Sequence, residues 1–256
     1  MTDRAQGAGR TAKVIVAAVL VAIVCVALGV WQLARLQQKR DANAAIRAGL
    51  AAPALLVDAA FPAGDPVDAL RYRRARARGT FDTSQETILY GRTQDGQAGN
   101  HLLTPLLLTD GSAIVVDRGW VPLALDDPPV AAARPPDGAV TVDGVLFASE
   151  GDPPSAADPS APRATTLSRL DLATLQAQLP YRIAPVYLLL REQTPAQSDL
   201  PRPTPLPELS EGPHLSYAIQ WFCFAAIAVI GGVVLVRRDH RDRTAPVDSH
   251  DAPPQG

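Results

Sequence analysis

The chain has 256 residues, a formal net charge of −2 and 47% hydrophobic side chains. This length accommodates one domain of ordinary size together with membrane segments. Acidic residues outnumber basic ones from Gln37 to Pro213, whereas a nucleic-acid-binding domain would carry a clear basic excess. Composition and charge therefore exclude nucleic acid as a predicted partner.

The first long apolar run extends from Val14 to Val30 and continues to Ala34. At a rise of about 1.5 Å per residue it covers about 30 Å, the thickness of the hydrocarbon core. A cleaved signal peptide is the alternative, because Ala27-Leu28-Gly29 weakly resembles a cleavage site. The run is longer than a usual signal sequence, so we predict an uncleaved transmembrane helix over residues 14–36.

The second apolar run extends from Tyr217 to Val236 and predicts a transmembrane helix over residues 214–236. Its Gly231-Gly232 pair would let another helix approach closely. Both cysteines, Cys25 and Cys223, lie inside the apolar runs. The intervening segment therefore has no disulfide framework and no redox pair of cysteines.

The distribution of Lys and Arg predicts the orientation of both helices. Four arginines follow the second run, so we predict a cytoplasmic tail over residues 237–256. Two spans then place residues 1–13 in the cytoplasm as well, although Arg35, Lys39 and Arg40 follow the first span on the opposite side. The expected location is a plasma membrane, with the central segment outside the cytoplasm.

The central segment is predicted to be a β-rich (α+β) extracytoplasmic domain, residues 37–194, with a sandwich or barrel-like sheet. Residues 195–213, rich in proline, are predicted to be an extended tether. The alternation of apolar and polar side chains indicates six strands. They lie within Leu70–Asp82, Glu86–Arg92, the two arms of His101–Pro122, Ala139–Ala148 and Arg182–Glu192.

Several local features refine this domain. Asp110-Gly111 suits a tight turn of positive φ in the hairpin, and Pro105 suggests an edge position or a bulge. Gly144 suggests a second bulge. One helix is predicted over Ser168–Leu179, capped by Thr166 or Ser168. The proline-rich segments 126–137 and 151–162 are predicted to be surface loops.

One face of the first predicted strand carries Arg74, Arg76 and Arg78. Such a row of charges is typical of a solvent-exposed face, or of an edge strand whose charges prevent pairing with another chain. The alternative is a docking face for an acidic partner or for lipid headgroups.

The domain offers little to catalysis. It has one histidine, His101, no cysteine, and none of the sequence motifs of hydrolases, metalloproteases or nucleotide-binding proteins. We therefore predict that the protein is not an enzyme and has no catalytic residues.

Polar residues at the outer ends of the two spans are the remaining candidates. On the second helix His214, Tyr217 and Trp221 fall within one sector, and on the first helix Gln32 shares a sector with Arg35. These two sets could face each other. An interfacial aromatic belt explains Tyr217 and Trp221, but an imidazole near the membrane is also a suitable axial ligand for haem iron. Both interpretations of His214 stay open at this point.

The chain resembles the Surfeit locus protein 1 family of cytochrome c oxidase assembly factors. The resemblance extends from Val14 to Arg238 and rests on the order and spacing of several motifs. These motifs are "LGVWQLARLQQK", "YRRARARGTF", "GNHLLTPLLL" followed by "VVDRGWVP", and "PHLSYAIQWFCFA".

The resemblance implies a non-enzymatic assembly factor that assists the delivery of haem a to subunit I of the oxidase, or its insertion there. It implies transient binding of haem a, with His214 as iron ligand. Tyr217 and Trp221 share the helix face of His214, and we predict that they also contact the cofactor. The implied partners are oxidase subunit I, haem a synthase and the lipid bilayer. A membrane-anchored interaction or sensor module without a haem role is the alternative.

The family's RGW motif corresponds to Arg118, Gly119 and Trp120. We interpret it as a strand exit at which Gly119 permits an unusual backbone angle. Its role, like that of Gln32, is left open. The residues before the first span do not resemble a mitochondrial transit segment, which favours a bacterial member of the family.

Overall fold

The computed structural model describes residues 2–57, 67–150 and 164–244, with side chains described over 11–57, 67–150 and 164–241. The chain divides into two compact units. One comprises Met1–Asn43 and Leu209–Gly256, and the other comprises Ala44–Glu208.

The first unit is a pair of long helices. Helix α1 is Thr2–Ala51 and helix α4 is His214–Thr244. Both contain windows long and apolar enough to cross a membrane. Helix α1 continues well past the apolar run and ends shortly before Pro53, which cannot continue a helix. The chain therefore carries two apolar helices that flank its β-rich domain and anchor it in a membrane.

The two helices pack antiparallel through small side chains. Cys25 and Gly29 of α1 are buried, as are Ala218 and Ala225 of α4. A methyl group at Gly29 would overlap the ring of Phe222, because the helices approach closely there. Small residues are the usual means of close helix packing in lipid, where no hydrophobic effect drives association.

The second unit is built on a mixed sheet whose eight strands all lie in the described ranges. In chain order they are β1 (Leu55–Val57), β2 (Arg74–Phe81), β3 (Thr87–Gln94), β4 (Gln97–Leu107), β5 (Ala113–Pro122), β6 (Ala139–Ala148), β7 (Thr166–Leu167) and β8 (Ile183–Thr194). Two short helices accompany them, α2 (Val67–Leu70) and α3 (Leu172–Gln178).

The sheet closes on itself into a barrel. Its order is β1-β2-β6-β8-β5-β4-β3-β7, and an additional pairing of β2 with β4 joins the ring. The first part of β4 pairs with β3, and its end pairs with β2 through Leu106 and Leu107. Pro105 lies where the neighbour of β4 changes from β3 to β2, so its missing N–H falls at the break between those two ladders. On its other side it pairs in register with Val115 of β5, so the predicted edge or bulge position is wrong. The barrel-like prediction is confirmed.

Alternating burial explains how these sequences form a closed barrel. In β2 the arginines are exposed while Ala75, Ala77, Gly79 and Phe81 are buried. The inward side chains join one core that includes Leu106, Ile114, Val142 and Leu188. A period of two residues places one face of each strand in this core and the other face outside.

Some local predictions need correction. Helix α3 begins at Leu172 with Asp171 as its cap, because the segment around Thr166 forms the unpredicted strand β7. In the β4–β5 hairpin only Gly111 has positive φ, and a longer loop replaces the tight turn at Asp110-Gly111. The bulge at Gly144 is confirmed. The 151–162 loop lies outside the described residues.

Candidate functional site

Arg118 is completely buried in the barrel and is fixed by an ion pair with Glu86 at 3.2 Å. Its other terminal nitrogen donates to the carbonyl of Ala133. Burial is the main cause that lowers the pKa of Arg118 to about 10, and the Glu86 carboxylate opposes the shift. The guanidinium therefore stays charged at neutral pH and depends on internal partners.

Both oxygens of the Glu86 carboxylate accept hydrogen bonds, whereas the buried Nε of Arg118 has no partner among the described residues. One oxygen accepts from the backbone N–H of Val130 at 2.8 Å. The other accepts from Thr104 at 3.0 Å and from Arg118. The predicted surface loop 126–137 does run over the surface, with Asp126, Asp127 and Arg134 exposed. It is nevertheless held against the barrel through the buried Val130 and Ala133. The cluster stabilises the fold and leaves neither carboxylate oxygen unused.

Gly119 has a φ of +125°, so the unusual backbone angle predicted for it is confirmed. It lies inside β5 rather than at a strand exit. The pairing of β5 with β4 shifts between Asp117 and Gly119, so Arg118 is the extra residue of a bulge. A methyl group at Gly119 would overlap the carbonyl oxygen of Arg202. Only glycine fits both the angle and this contact.

The contact at Gly119 belongs to a segment that we call the strap, residues 195–204. Trp120 and Arg202 exchange backbone hydrogen bonds of 2.7 and 2.8 Å. The Arg202 guanidinium lies 4.0 Å from the centroid of the Trp120 ring, and Trp120 Nε1 donates to the carbonyl of Arg92. The first part of the predicted tether is therefore bound to the barrel through the RGW motif.

His101 and Asp117 form a second buried polar pair, with Nδ1 and Oδ2 2.8 Å apart. The other oxygen of Asp117 accepts from the backbone N–H of Gly119, which holds the bulge. His101 Nε2 lies 3.4 Å from the Thr204 hydroxyl of the strap. These contacts join the bulge to the strap. No group of three or more potential metal ligands occurs within the described ranges.

The arginine face of β2 is exposed, as its alternation predicts. Arg76 donates to Asp143 of β6 at 2.8 Å, and this hydrogen bond raises the pKa of Arg76. Arg74 and Arg78 are exposed and face solvent from the same strand. The face is therefore only partly neutralised by its own barrel.

The helical unit contains a different kind of polar contact. His214 is the first residue of α4, and its Nδ1 lies 2.9 Å from Oε1 of Gln32 on α1. The structure therefore brings together two of the candidates selected from the sequence. Both side chains are half-buried between the helices. The other ring nitrogen, Nε2, has no hydrogen-bond partner in the part of the chain that the structure describes.

Gly212 lies beside that nitrogen. It has a φ of +68°, and a methyl group placed on it would lie 3.5 Å from His214 Nε2. A larger side chain there would cover the ring edge. The sequence analysis missed Gly212, although a glycine directly before Pro213 at the mouth of a predicted span is a signal for a special backbone conformation.

The aromatic candidates lie near His214 without joining its pair. Tyr217 is 46% exposed, and its phenol makes no hydrogen bond with the described residues. Trp221 is half-buried and contacts the ring of Phe224 edge-on, with 5.9 Å between centroids. This placement agrees with an interfacial belt and leaves Tyr217 and Trp221 as predictions for cofactor contact.

Fold and site together define a membrane-anchored barrel protein with a buried RGW motif and a hydrogen bond between His214 and Gln32 of its two apolar helices. The SURF1 family matches this chain over residues 19–226. The chain therefore belongs to the SURF1 family, a family of assembly factors, as the sequence resemblance indicated.

Individual relatives agree with this assignment. A SURF1-like protein of Monosiga brevicollis is 29% identical over 231 residues, which is 85% of each chain. One from Rickettsia felis is 26% identical over 220 residues, 84% of this chain and 93% of that protein. A SURF1-like protein of Mycobacterium tuberculosis is 28% identical over 208 residues, 80% of this chain and 74% of its own.

Proposed function

We propose that this protein is a non-enzymatic assembly factor for cytochrome c oxidase that assists the delivery of haem a to subunit I. Membership of the SURF1 family supports the assembly role. The observation that carries the haem role is the half-buried His214, whose Nε2 has no partner among the described residues while Nδ1 is occupied.

The chemistry of this site suits haem a as cargo. Imidazole nitrogen is a common axial ligand of haem iron, and a neutral ring bound through one nitrogen leaves the other nitrogen free to ligate. The neighbouring surface of α4 is apolar and exposed, as Leu215 and Tyr217 illustrate. The apolar faces of a haem macrocycle can pack against such a surface, because they make no hydrogen bonds with water that packing would remove.

Purification after coexpression with the enzymes of haem a synthesis tests this role. We expect the full-length wild-type protein to carry a haem a spectrum and His214→Ala to lose most of it. His240→Ala is the matched control, because His240 lies at the far end of α4. A wild-type protein without bound haem would eliminate the delivery mechanism and leave the assembly role to be judged separately.

Gene deletion tests the assembly role itself. We expect membranes of the deletion strain to lose haem a absorbance and oxidase activity, and His214→Ala to restore them only partly. Normal oxidase absorbance and activity after deletion would contradict the proposal. Capture of oxidase subunit I or haem a synthase with the tagged protein would identify the direct partner.

The proposed orientation places both termini in the cytoplasm and the barrel outside, in a plasma membrane. Arg237, Arg238 and Arg241 at the end of α4 support it, because basic residues accumulate on the cytoplasmic side. A fluorescent protein fused to the C-terminus should fluoresce, whereas an alkaline phosphatase fusion should be inactive. An active phosphatase would reverse the orientation.

A second candidate is a docking module that acts without haem. Arg74 and Arg78 are exposed beside the ion pair of Arg76 with Asp143, and these charges favour this function for the barrel. It predicts that capture of the oxidase subunit survives His214→Ala and fails in the double variant Arg74→Glu/Arg78→Glu. The opposite pattern would assign partner binding to the helical unit.

A further inference from the structure

Gln32 is the residue that contacts His214, and its own position is tightly fixed. It lies on the face of α1 that packs against α4, between the buried residues Gly29 and Leu36. Phe222 of α4 lies directly against Gly29. Because packing on both sides sets the position of the helix, the amide of Gln32 has little freedom to leave the imidazole.

The backbone before His214 is also held by α1. Asn43 donates to the carbonyl of Ser210 at 3.3 Å, and Arg40 forms an ion pair with Glu211 at 3.1 Å. The N–H of Gly212 donates to the Ser210 hydroxyl. Residues 210–212 are therefore fixed at several points, so that the start of α4 presents His214 in one orientation.

The contact determines which nitrogen carries the proton. The Oε1 atom of a glutamine can only accept a hydrogen bond, so His214 Nδ1 must be the donor at 2.9 Å. A neutral imidazole has one N–H, which leaves Nε2 as an unprotonated nitrogen with a free electron pair. An iron ligand requires such a free electron pair. Metal-binding histidines generally have an orienting partner on the other ring nitrogen.

We propose that Gln32 is a positioning residue that holds His214 in the Nδ1–H tautomer, with Nε2 directed toward an incoming haem iron. The iron-binding half of this proposal rests on the proposed function, whereas the tautomer is a property of the free protein. A neutral amide suits this location, since a carboxylate would place a charge at the membrane boundary.

Nitrogen NMR of the full-length protein in lipid nanodiscs, with ¹⁵N-labelled histidine, tests the tautomer without haem. The His214 signals are assigned by their loss in His214→Ala. We expect a proton on Nδ1 in the wild type and a shift of population to Nε2–H in Gln32→Leu. Gln220→Leu is the control, because Gln220 is exposed on the same end of α4. A wild-type proton on Nε2, or no change in Gln32→Leu, would overturn the proposal.

The haem-loaded protein supplies an independent readout. We expect Gln32→Leu to weaken haem retention about tenfold, a usual loss when an orienting partner is removed. Gln32→Glu keeps an acceptor, so it should retain haem and lower its reduction potential by giving the imidazole more anionic character. Equal retention and equal potential in all three proteins would contradict the positioning role.

These experiments distinguish failure of the haem role of His214 from failure of the positioning role of Gln32. Absence of haem from a wild-type protein that carries its proton on Nδ1 would reject the haem role and support the contact with Gln32. Bound haem that depends on His214, together with the wrong tautomer or an unaffected Gln32→Leu, would support the haem role and reject the positioning residue.

Discussion

The barrel and the helical unit each contain a hydrogen-bonded polar pair in apolar surroundings. The two pairs differ in how much of their hydrogen-bonding capacity is used by other residues. In the barrel, Arg118 and Glu86 are 3.2 Å apart, and both carboxylate oxygens are occupied. Between the helices, Gln32 and His214 are 2.9 Å apart, and Nε2 of the ring is unoccupied by any described residue.

This difference separates a structural role from a ligand-binding role. A buried charge is costly without partners, so the barrel supplies acceptors to both terminal nitrogens of Arg118, and these contacts fix the loop at Ala133. A neutral histidine at a membrane boundary can leave one nitrogen open at much smaller cost, and an open nitrogen is available to a ligand. We therefore expect changes in the barrel pair to affect folding and changes in the helix pair to affect binding.

The largest expected effect comes from Glu86→Ala. It leaves Arg118 charged and buried without its carboxylate, and the expected loss in free energy of unfolding is about 3–5 kcal/mol. Urea unfolding of the full-length protein in detergent, followed by tryptophan fluorescence, measures it. Arg134→Gln, which removes an exposed ion pair with Asp137, is the control and should lose less than about 1 kcal/mol. Similar losses in both variants would show that the buried ion pair stabilises the barrel no more than an exposed one does.

Gly119→Ala should follow in size. A residue with a side chain at φ +125° is strained by about 1–3 kcal/mol, and its methyl group would also displace Arg202. We expect faster proteolytic cleavage of the strap as well as lower stability. Gly111→Ala is the control, because it has φ +81° and nothing within 4 Å, so it reports strain alone. Equal effects of the two substitutions would argue against the strap contact.

Gly212→Val tests the open nitrogen of the helix pair. Its side chain would cover His214 Nε2 and would also be strained at φ +68°, so haem retention should fall at least about tenfold, or ~1.4 kcal/mol, with little change in the stability of the barrel. Titration of the purified protein with haem measures retention. Gly231→Val adds the same side chain where nothing lies within 4 Å and should bind haem normally. Normal haem binding by Gly212→Val would place the ligand elsewhere.

The smallest expected effect is that of Glu211→Gln. Its ion pair with Arg40 is exposed by nearly half on both sides, so its loss should change stability by less than about 1 kcal/mol. The matched variant Glu208→Gln changes an exposed carboxylate that forms no ion pair with the described residues. Thermal unfolding of both variants checks this, and a larger loss from Glu211→Gln would indicate that the start of α4 depends on a single contact.

The sequence alone predicted much of the fold because its patterns are local. Long apolar runs identify the spans, and period-two alternation places the buried face of β2 and of its neighbours. The same alternation cannot specify which strands pair. Closure of the barrel through Leu106 and Leu107 of β4 could therefore not be predicted from the sequence. Strands β1 and β7 were missed because two or three residues are too short to form a pattern.

By itself the sequence determined two spans around a β-rich domain, an unusual backbone angle at Gly119, and the helix faces on which Gln32 and His214 lie. Only the tertiary structure decided that these two side chains meet, that Glu86 pairs with Arg118, and that the strap binds beside Gly119. The reason is physical: periodicity fixes the direction of a side chain along its own element, whereas its partner is set by packing between residues distant in the chain.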